Sequence, residues 1–224
     1  CWDKSATPGF DIVTYTGNNT AGRTISHSLG VAPSMMFVKW RTGGTTESWA
    51  VYHAALGATK YLALNTPAAA ASATSVWNDT APTSSVFTVG NDAWTNSTSS
   101  YTYVAYLWSE VSGFSKFGSY IGGNGADGPF VYCGFRPRWV IFKATNLTNT
   151  DWMIFDTARN TYNVMDLRLD ANSSGLEASS STHYFDLLSN GFKIRGTNNN
   201  FNNTGTTYVF AAFAESPFKY SLAR

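Results

Sequence analysis

Three histidines, a few carboxylates and many aromatic rings are the residues of this sequence whose types could carry chemistry. His27, His53 and His183 are far apart, and none has a second histidine two or four positions away. The chain therefore has no local pair of imidazole ligands for zinc. It also has no Gly-x-Ser-x-Gly nucleophile motif and no glycine-rich phosphate loop with its lysine. We expect no metal, no cofactor and no catalytic residue.

The carboxylates do not form a recognisable acid–base pair. A glycosidase needs two carboxyl groups that face each other across a cleft, whereas Glu110 and Glu215 occur at the ends of two matching segments. That recurrence favours a structural role at a strand end. Asp127, Asp156 and Asp170 lack the Asp-x-Asp-x-Asp spacing of a calcium loop. The sequence predicts that the protein is not an enzyme.

Aromatic and asparagine residues suggest contact with sugars instead. Trp77 and Trp94 lie among Asn and Thr and do not recur, so they are the predicted glycan contacts. Rings that recur, such as Trp49 and Trp152, are expected in the core. Asn-x-Ser/Thr sequons, which accept N-linked glycans where glycosylation operates, occur at Asn18, Asn78, Asn96, Asn146, Asn172 and Asn202.

Composition excludes several classes of partner. Only 13% of the 224 residues are charged and the formal net charge is +1, so no overall field attracts nucleic acid or an anionic membrane. No apolar run approaches the roughly 20 residues that cross a bilayer. Cys1 and Cys133 are too few for a disulfide framework. Polarity comes from Ser, Thr, Asn and Gly, which is typical of extracellular or virion β-proteins.

Much of the chain repeats itself after about 105 residues. The segment YTYVAYLWSE at 101–110 matches TTYVFAAFAE at 206–215, and VAPSMMFVKW at 31–40 matches FRPRWVIFKA at 135–144. Further matching segments occur in the same order. A pattern that recurs at a fixed distance indicates a repeat architecture.

The matching segments predict the fold. Each is short, alternating and rich in aromatic and β-branched residues, with Gly, Asn, Ser or Thr on either side, which is the pattern of a β-strand. We predict an all-β protein of two tandem antiparallel β-sandwich repeats of immunoglobulin or jelly-roll size. Residues 9–112 form the first repeat and 113–224 the second with a C-terminal tail. Residues 1–8 are the end strand or linker of a preceding repeat, or a donor segment.

Both ends of the chain resemble parts of further repeats. CWDK resembles the end of a strand, and ESPFKYS at 215–221 resembles the start of the next repeat. An unpaired strand segment can add to the open edge of a sheet and satisfy its backbone hydrogen bonds. The residues predicted to mediate assembly are Cys1, Trp2, Asp3, Lys4, Phe218, Lys219 and Tyr220.

Several phrases carry a family resemblance that covers nearly the whole chain. GFSKFGSYIGGNGADGPFVYCGFRPRWVIFK at 113–143, GFDIVTYTGN, LSNGFKIR and AAFAESPFKY resemble a tandem β-sandwich repeat family of bacteriophage tail-fibre-like and virion proteins. The resemblance implies a structural or host-contacting role and supplies no catalytic residue.

Together these patterns favour a structural repeat protein of a fibre, located in a virion or outside the cell. Its repeats or subunits would join end to end through short linkers and terminal strands, so its main partner would be itself. The alternative is a glycan-binding adhesin that contacts surface glycans, and a depolymerase ranks third. We expect no nucleic-acid partner and no membrane insertion.

Overall fold

The computed structural model describes residues 4–42 and 47–214. The prediction of an all-β protein is confirmed, because 42% of the chain is strand and 4% is helix, and the sheets are antiparallel. The chain divides into two compact units. Unit 1 comprises Cys1–Asn65 and Ala70–Glu110, and unit 2 comprises Thr66–Ala69 and Val111–Arg224.

Unit 1 contains a large sheet and a small one. The elements in chain order are β1 (Phe10–Thr16), β2 (Arg23–Ser26), β3 (Met35–Thr42), β4 (Ala50–His53), β5 (Lys60–Ala63), β6 (Ala71–Ser72), α1 (Thr74–Trp77), β7 (Val86–Val89) and β8 (Thr102–Trp108). The large sheet has the strand order β1-β8-β3-β4-β5-β6, and the small sheet pairs β2 with β7.

Alternation of side chains explains why the β8 segment is a strand. Successive residues of β8 are alternately buried and half-buried, and Tyr103, Ala105 and Leu107 are fully buried on one face. A strand that buries one face of a sheet has this period of two. Residues from both sheets, including Phe87 of β7 and Val38 of β3, form one core cluster.

Unit 2 also contains a large and a small sheet. The elements are β9 (Ser115–Ile121), β10 (Phe130–Tyr132), β11 (Pro137–Ala144), β12 (Met153–Asp156), β13 (Leu169–Asp170), β14 (Phe185–Leu188), β15 (Gly191–Ile194), α2 (Asn199–Asn202) and β16 (Thr207–Ala214). The large sheet has the strand order β13-β12-β11-β16-β9, and the small sheet has the order β10-β15-β14.

Aromatic rings fill the core of unit 2. The ring of Phe142 lies edge-to-face with those of Phe155, Phe185 and Phe192, at centroid distances of 6.0, 5.3 and 5.3 Å. Such pairs contribute about 0.5–1.5 kcal/mol each beyond the burial of their surface. No helix in the described residues is long and apolar enough to span a membrane.

Candidate functional site

The histidines are engaged in structural contacts. In His27, Nδ1 accepts a hydrogen bond from the Leu29 N–H and Nε2 lies 3.2 Å from the Thr83 carbonyl oxygen. Accepting at Nδ1 leaves Nε2 to donate, so both ring nitrogens are occupied. Within residues 4–42 and 47–214, no three His, Cys, Asp or Glu side chains are grouped so that they could hold a metal ion.

His183 is buried in unit 2 and is held neutral. Its ring stacks on Phe201, and the Asn200 amide nitrogen lies 3.4 Å from Nε2. Burial lowers the pKa of His183 to about 4, and the positive charge of Arg168 acts in the same direction. The side chain is 8% exposed, so the charged form has little access to solvent.

We expect the stability of the protein to fall as the pH drops from 6.5 towards 4. In this window the unfolded chain protonates His183 and the folded chain does not, so protons favour unfolding by an amount on the order of 3 kcal/mol. Chemical denaturation of the wild type and of His183→Gln at pH 6.5 and at pH 4 measures this loss of stability. The variant should lose less stability over the window, and equal losses would contradict the expectation.

Lys143 is the other buried ionisable group of unit 2. Its ammonium donates to the Thr150 carbonyl and the Thr150 hydroxyl, both at 2.8 Å, and to the Pro67 carbonyl at 3.4 Å. Burial lowers its pKa to about 8. Because the side chain is fully buried and its three protons have acceptors, Lys143 is a structural cation and not an accessible nucleophile.

The structure corrects one of the predicted glycan contacts. Trp77 is 1% exposed and packs edge-to-face on Tyr52 in the core of unit 1, so it offers no ring face to a sugar. Trp94 is half-buried and packs edge-to-face on Tyr61 at 5.3 Å. Among the described residues, exposed rings include Phe130, Tyr132 and Tyr162, which are 45%, 63% and 82% exposed.

The sequons differ in their accessibility. Asn96 and Asn202 are fully buried, so a glycan on either is incompatible with this fold. Asn18 and Asn146 are exposed, and Asn78 and Asn172 are half-buried.

Most of the residues predicted to mediate assembly cannot be placed. Cys1, Trp2, Asp3, Phe218, Lys219 and Tyr220 lie outside the described residues. Lys4 is described, and its ammonium lies 3.1 Å from Asp11 Oδ1 and donates to the Ile12 carbonyl at 2.9 Å. Lys4 therefore contacts β1 of unit 1.

Lys4 also lines a cleft in unit 1 that lies between β1 and β2. We call it the β1–β2 cleft; its volume is about 480 Å³. One edge strand of the large sheet, β1, and one strand of the small sheet, β2, both contribute to it. The lining residues are Lys4, Asp11, Ile12, Val13, Thr14, Ser26, His27 and Ser28.

The outer backbone edge of β1 is bonded in part. The Phe10 N–H donates to the Ser5 carbonyl at 3.2 Å, the Ile12 carbonyl accepts from Lys4 at 2.9 Å and the Thr16 carbonyl accepts from Arg23. The Gly17 N–H donates to Tyr101 and the Ser109 N–H donates to Gly9, so the odd-numbered residues of β1 bond to β8. In an antiparallel ladder the alternate residues then direct their N–H and C=O groups away from β8. In the part of the chain that the structure describes, Ser5 forms an isolated β-bridge with Phe10 at the start of this outer edge, and no strand pairs with the edge at Thr14.

Asp11 is the buried charge of the cleft. It is 1% exposed, and its Oδ2 accepts hydrogen bonds from the Ser28 N–H at 2.6 Å and the Ser28 hydroxyl at 2.8 Å. Burial raises the pKa of Asp11, but the hydrogen bonds from Ser28 and Lys4 outweigh it and the net shift is downward. Asp11 is therefore ionised and ties Lys4, β1 and the turn after β2 together.

Sequence reasoning identified Lys4 but missed Asp11 and Ser28. One signal was available in the repeat, because Asp11 is a charged residue inside the alternating strand FDIVTYT, whereas β9 begins with Ser115 at the corresponding position. A charge at the start of an otherwise apolar and hydroxyl-bearing strand needs a buried partner or a solvated position. The sequence could not specify whether Asp11 has a buried partner or a solvated position.

A family described as a domain of unknown function, DUF7483, matches residues 3–217 of the chain. No curated protein and no solved structure matches the chain.

Proposed function

We propose, from the premise that this chain belongs to the DUF7483 family, that it is a structural repeat protein of a fibre. The fibre is a virion fibre or an extracellular filament in which repeats or subunits join end to end. The observation that carries the proposal is the outer edge of β1 at Thr14, beside the β1–β2 cleft, where no strand of the described residues pairs with it and which adjoins the Ile12 carbonyl that Lys4 contacts.

The proposal includes that the two units are copies of one β-sandwich, and the sheet orders support it. The order β1-β8-β3-β4-β5 in unit 1 corresponds strand by strand to β9-β16-β11-β12-β13 in unit 2. The pair β2-β7 corresponds in the same way to β10-β15. In each large sheet the first strand of the unit pairs with the last one, β1 with β8 and β9 with β16. The three remaining corresponding strands then follow in chain order.

Paired tyrosines support the correspondence at the level of single residues. Tyr15 pairs with Tyr103 across β1 and β8, and their rings stack at 5.1 Å with an interplanar angle of 15°. Tyr120 pairs with Tyr208 across β9 and β16, and their rings stack at 5.1 Å with an angle of 16°.

A buried asparagine also occurs at the same place in each unit. The Asn96 amide donates to the Gly90 carbonyl at 2.8 Å, and the Asn202 amide donates to the Gly196 carbonyl at 2.7 Å. Both asparagines are fully buried. A side chain that satisfies buried backbone groups is costly to replace. The equivalent positions of Asn96 and Asn202 therefore support the proposal that both units have the same fold.

An open strand edge is what an assembling sandwich needs. Unpaired N–H and C=O groups of an edge strand are a template for a strand from another chain, and strand addition supplies affinity through main-chain hydrogen bonds. The β1–β2 cleft also exposes part of Val13, which packs against the core of unit 1. An added strand would pair with β1 and cover this apolar side chain.

We expect Thr14→Pro to abolish assembly without unfolding unit 1. The Thr14 N–H points away from β8, so proline removes a donor that only an added strand would use, and its ring obstructs the edge. Electron microscopy and sedimentation velocity of the purified protein should show at least a tenfold loss of assembled mass.

The matched control is Thr14→Val, which keeps the N–H and should assemble like the wild type. Circular dichroism checks that both variants are folded. Assembly of Thr14→Pro at the wild-type level would exclude the outer edge of β1 as the site of strand addition, and a wild-type protein that remains monomeric at all concentrations would overturn the proposed function.

A glycan-binding module is the second candidate, and one observation favours it. The rings of Tyr132 and Tyr162 are largely exposed in unit 2, and exposed aromatic faces can pack on sugar rings. A glycan array of the intact protein distinguishes the candidates. Specific binding that is lost in Tyr162→Ala would support the adhesin, and the absence of binding would leave the fibre role as the better proposal.

A further inference from the structure

The small sheet of unit 2 exposes aromatic rings on the face that points away from the core. Its middle strand β15 pairs Phe192 with Val131 of β10 and Leu187 of β14, and these three side chains are buried. The residues next to them along each strand lie on the opposite face, which we call the outer face. In β10 these residues are Phe130 and Tyr132, and both rings are in contact with solvent.

Unit 1 shows that this sheet can be built without exposed rings. In the correspondence proposed above, β2 takes the place of β10, and its Ile25 takes the place of the buried middle residue, since each pairs with a buried phenylalanine. Phe130 and Tyr132 then correspond to Thr24 and Ser26, which are exposed. Both rings of unit 2 also lie outside its core cluster. They expose apolar surface at a place where hydroxyl-bearing residues suffice, which points to a contact with a ligand.

Charged side chains border the rings on the outer face. Lys193 and Asp186 lie in the same row across the sheet as Phe130. The Lys193 ammonium lies 2.7 Å from Asp127 Oδ1, and the Arg195 guanidinium lies 3.5 Å from Asp186 Oδ2. Two cations and two carboxylates balance, so these groups do not attract a charged ligand over a distance. Each ion pair places N–H donors beside acceptor oxygens.

The exposed apolar area is too small for a stable protein partner. Leu188 lies in the same row as Tyr132 and is 38% exposed. Together with the two rings it presents roughly 300 Å² of apolar surface, whereas a stable protein interface needs about 800 Å² on each partner. The size of the surface therefore fits a small ligand better than a second copy of the chain.

We infer that the outer face of this sheet binds a neutral glycan, with Phe130 and Tyr132 as its aromatic platform. The face of a sugar ring carries C–H groups, which pack on the negative face of an aromatic ring. Sugar hydroxyls both donate and accept, so the flanking ion pairs supply both kinds of hydrogen-bond partner. Residues two positions apart on a strand are separated by about 7 Å, so the two rings can contact neighbouring units of one glycan chain.

This inference goes beyond the fibre role and does not depend on assembly. The platform belongs to unit 2, whereas the outer edge of β1 belongs to unit 1. It also assigns a definite site to the glycan-binding candidate, which otherwise rests on exposed rings alone.

Replacing the two rings with the residues of unit 1 tests the site. The double variant Phe130→Thr/Tyr132→Ser gives β10 the side chains that β2 carries, so we expect it to fold like the wild type. Isothermal titration calorimetry measures binding of maltohexaose, cellohexaose and chitohexaose, with polygalacturonate as an acidic probe. At least one neutral probe should bind the wild type, and the double variant should bind it about tenfold more weakly or worse. Tyr132→Phe keeps the ring and should stay within about threefold of the wild type.

Tyr162→Ala is the matched control, because Tyr162 is an exposed ring outside the small sheet and its loss should leave binding unchanged. Absence of binding to every probe, preference for polygalacturonate, or equal binding by the wild type and the double variant overturns the inference. If circular dichroism shows that the double variant is unfolded, Tyr132→Ser alone replaces it under the same criteria. A wild type that binds a neutral probe through these rings but remains monomeric overturns the proposed fibre role and leaves this inference standing.

Discussion

Asn202→Ala is expected to lower the free energy of unfolding by roughly 3–4 kcal/mol, since each buried polar group left without a partner costs about 1–3 kcal/mol. The Asn202 amide donates to the Gly196 carbonyl at 2.7 Å and the Gly125 carbonyl at 3.1 Å, and Oδ1 accepts from the Gly123 N–H at 2.9 Å. Alanine removes all three bonds. Urea denaturation followed by circular dichroism measures the loss.

Asn199→Ala is the matched control for this prediction. Asn199 is in the same short helix but its side chain is exposed, so alanine should change stability by less than about 0.5 kcal/mol. Asn96→Ala should reproduce the large loss in unit 1, because Asn96 bonds to the carbonyls of Gly90 and Thr20 and to the Asn18 N–H. A small effect of Asn202→Ala would show that water replaces the amide.

Gly196→Ala is expected to cost about 3 kcal/mol for a different reason, the overpacking of a site without free volume. A methyl group on Gly196 would lie 2.2 Å from the Thr182 carbonyl oxygen and 2.8 Å from the Tyr184 nitrogen. The backbone cannot move away easily, because the Gly196 N–H donates to the Tyr184 carbonyl at 2.7 Å and its own carbonyl accepts from Asn202.

Gly175→Ala is the control for Gly196→Ala. Its added methyl group would meet only the Ser173 hydroxyl, at 3.2 Å, at an exposed position, and it should leave stability within about 0.5 kcal/mol of the wild type. Gly196 and Asn202 share a hydrogen bond, so the double variant should lose less than the sum of the single losses. Additive losses would mean that the two residues act independently.

The strands could be predicted because their signal is local. In β8, buried residues alternate with half-buried ones over seven positions between polar turns, and that period is sufficient to identify a strand that buries one face. In β16 the sequence is apolar almost throughout and both faces are buried, so its match to β8 in the repeat is what identifies it as a strand. The matching segments added a second sample of several of these strands. The prediction of all-β structure needed nothing else.

The candidate site could not be predicted because its contacts are distant in sequence. The outward direction of the Thr14 backbone groups follows from the pairing of β1 with β8 on its other side, and the environment of Asp11 depends on Ser28 across the cleft. Neither contact has a local sequence signal. Trp77 was misassigned for the opposite reason: its polar neighbours indicate exposure, but the short helix α1 directs the ring into the core.

The composition of unit 2 has a consequence for how the protein can be dissected. Thr66–Ala69 belongs to unit 2 although it precedes most of that unit in the chain, and the Pro67 carbonyl accepts hydrogen bonds from the Thr150 N–H and the Lys143 ammonium. A fragment cut at the boundary near residue 110 therefore lacks an acceptor for a buried cation. During synthesis Thr66–Ala69 leaves the ribosome before residues 143 and 150, to which it is hydrogen-bonded. Unit 2 can therefore complete its fold only after this earlier segment has been made.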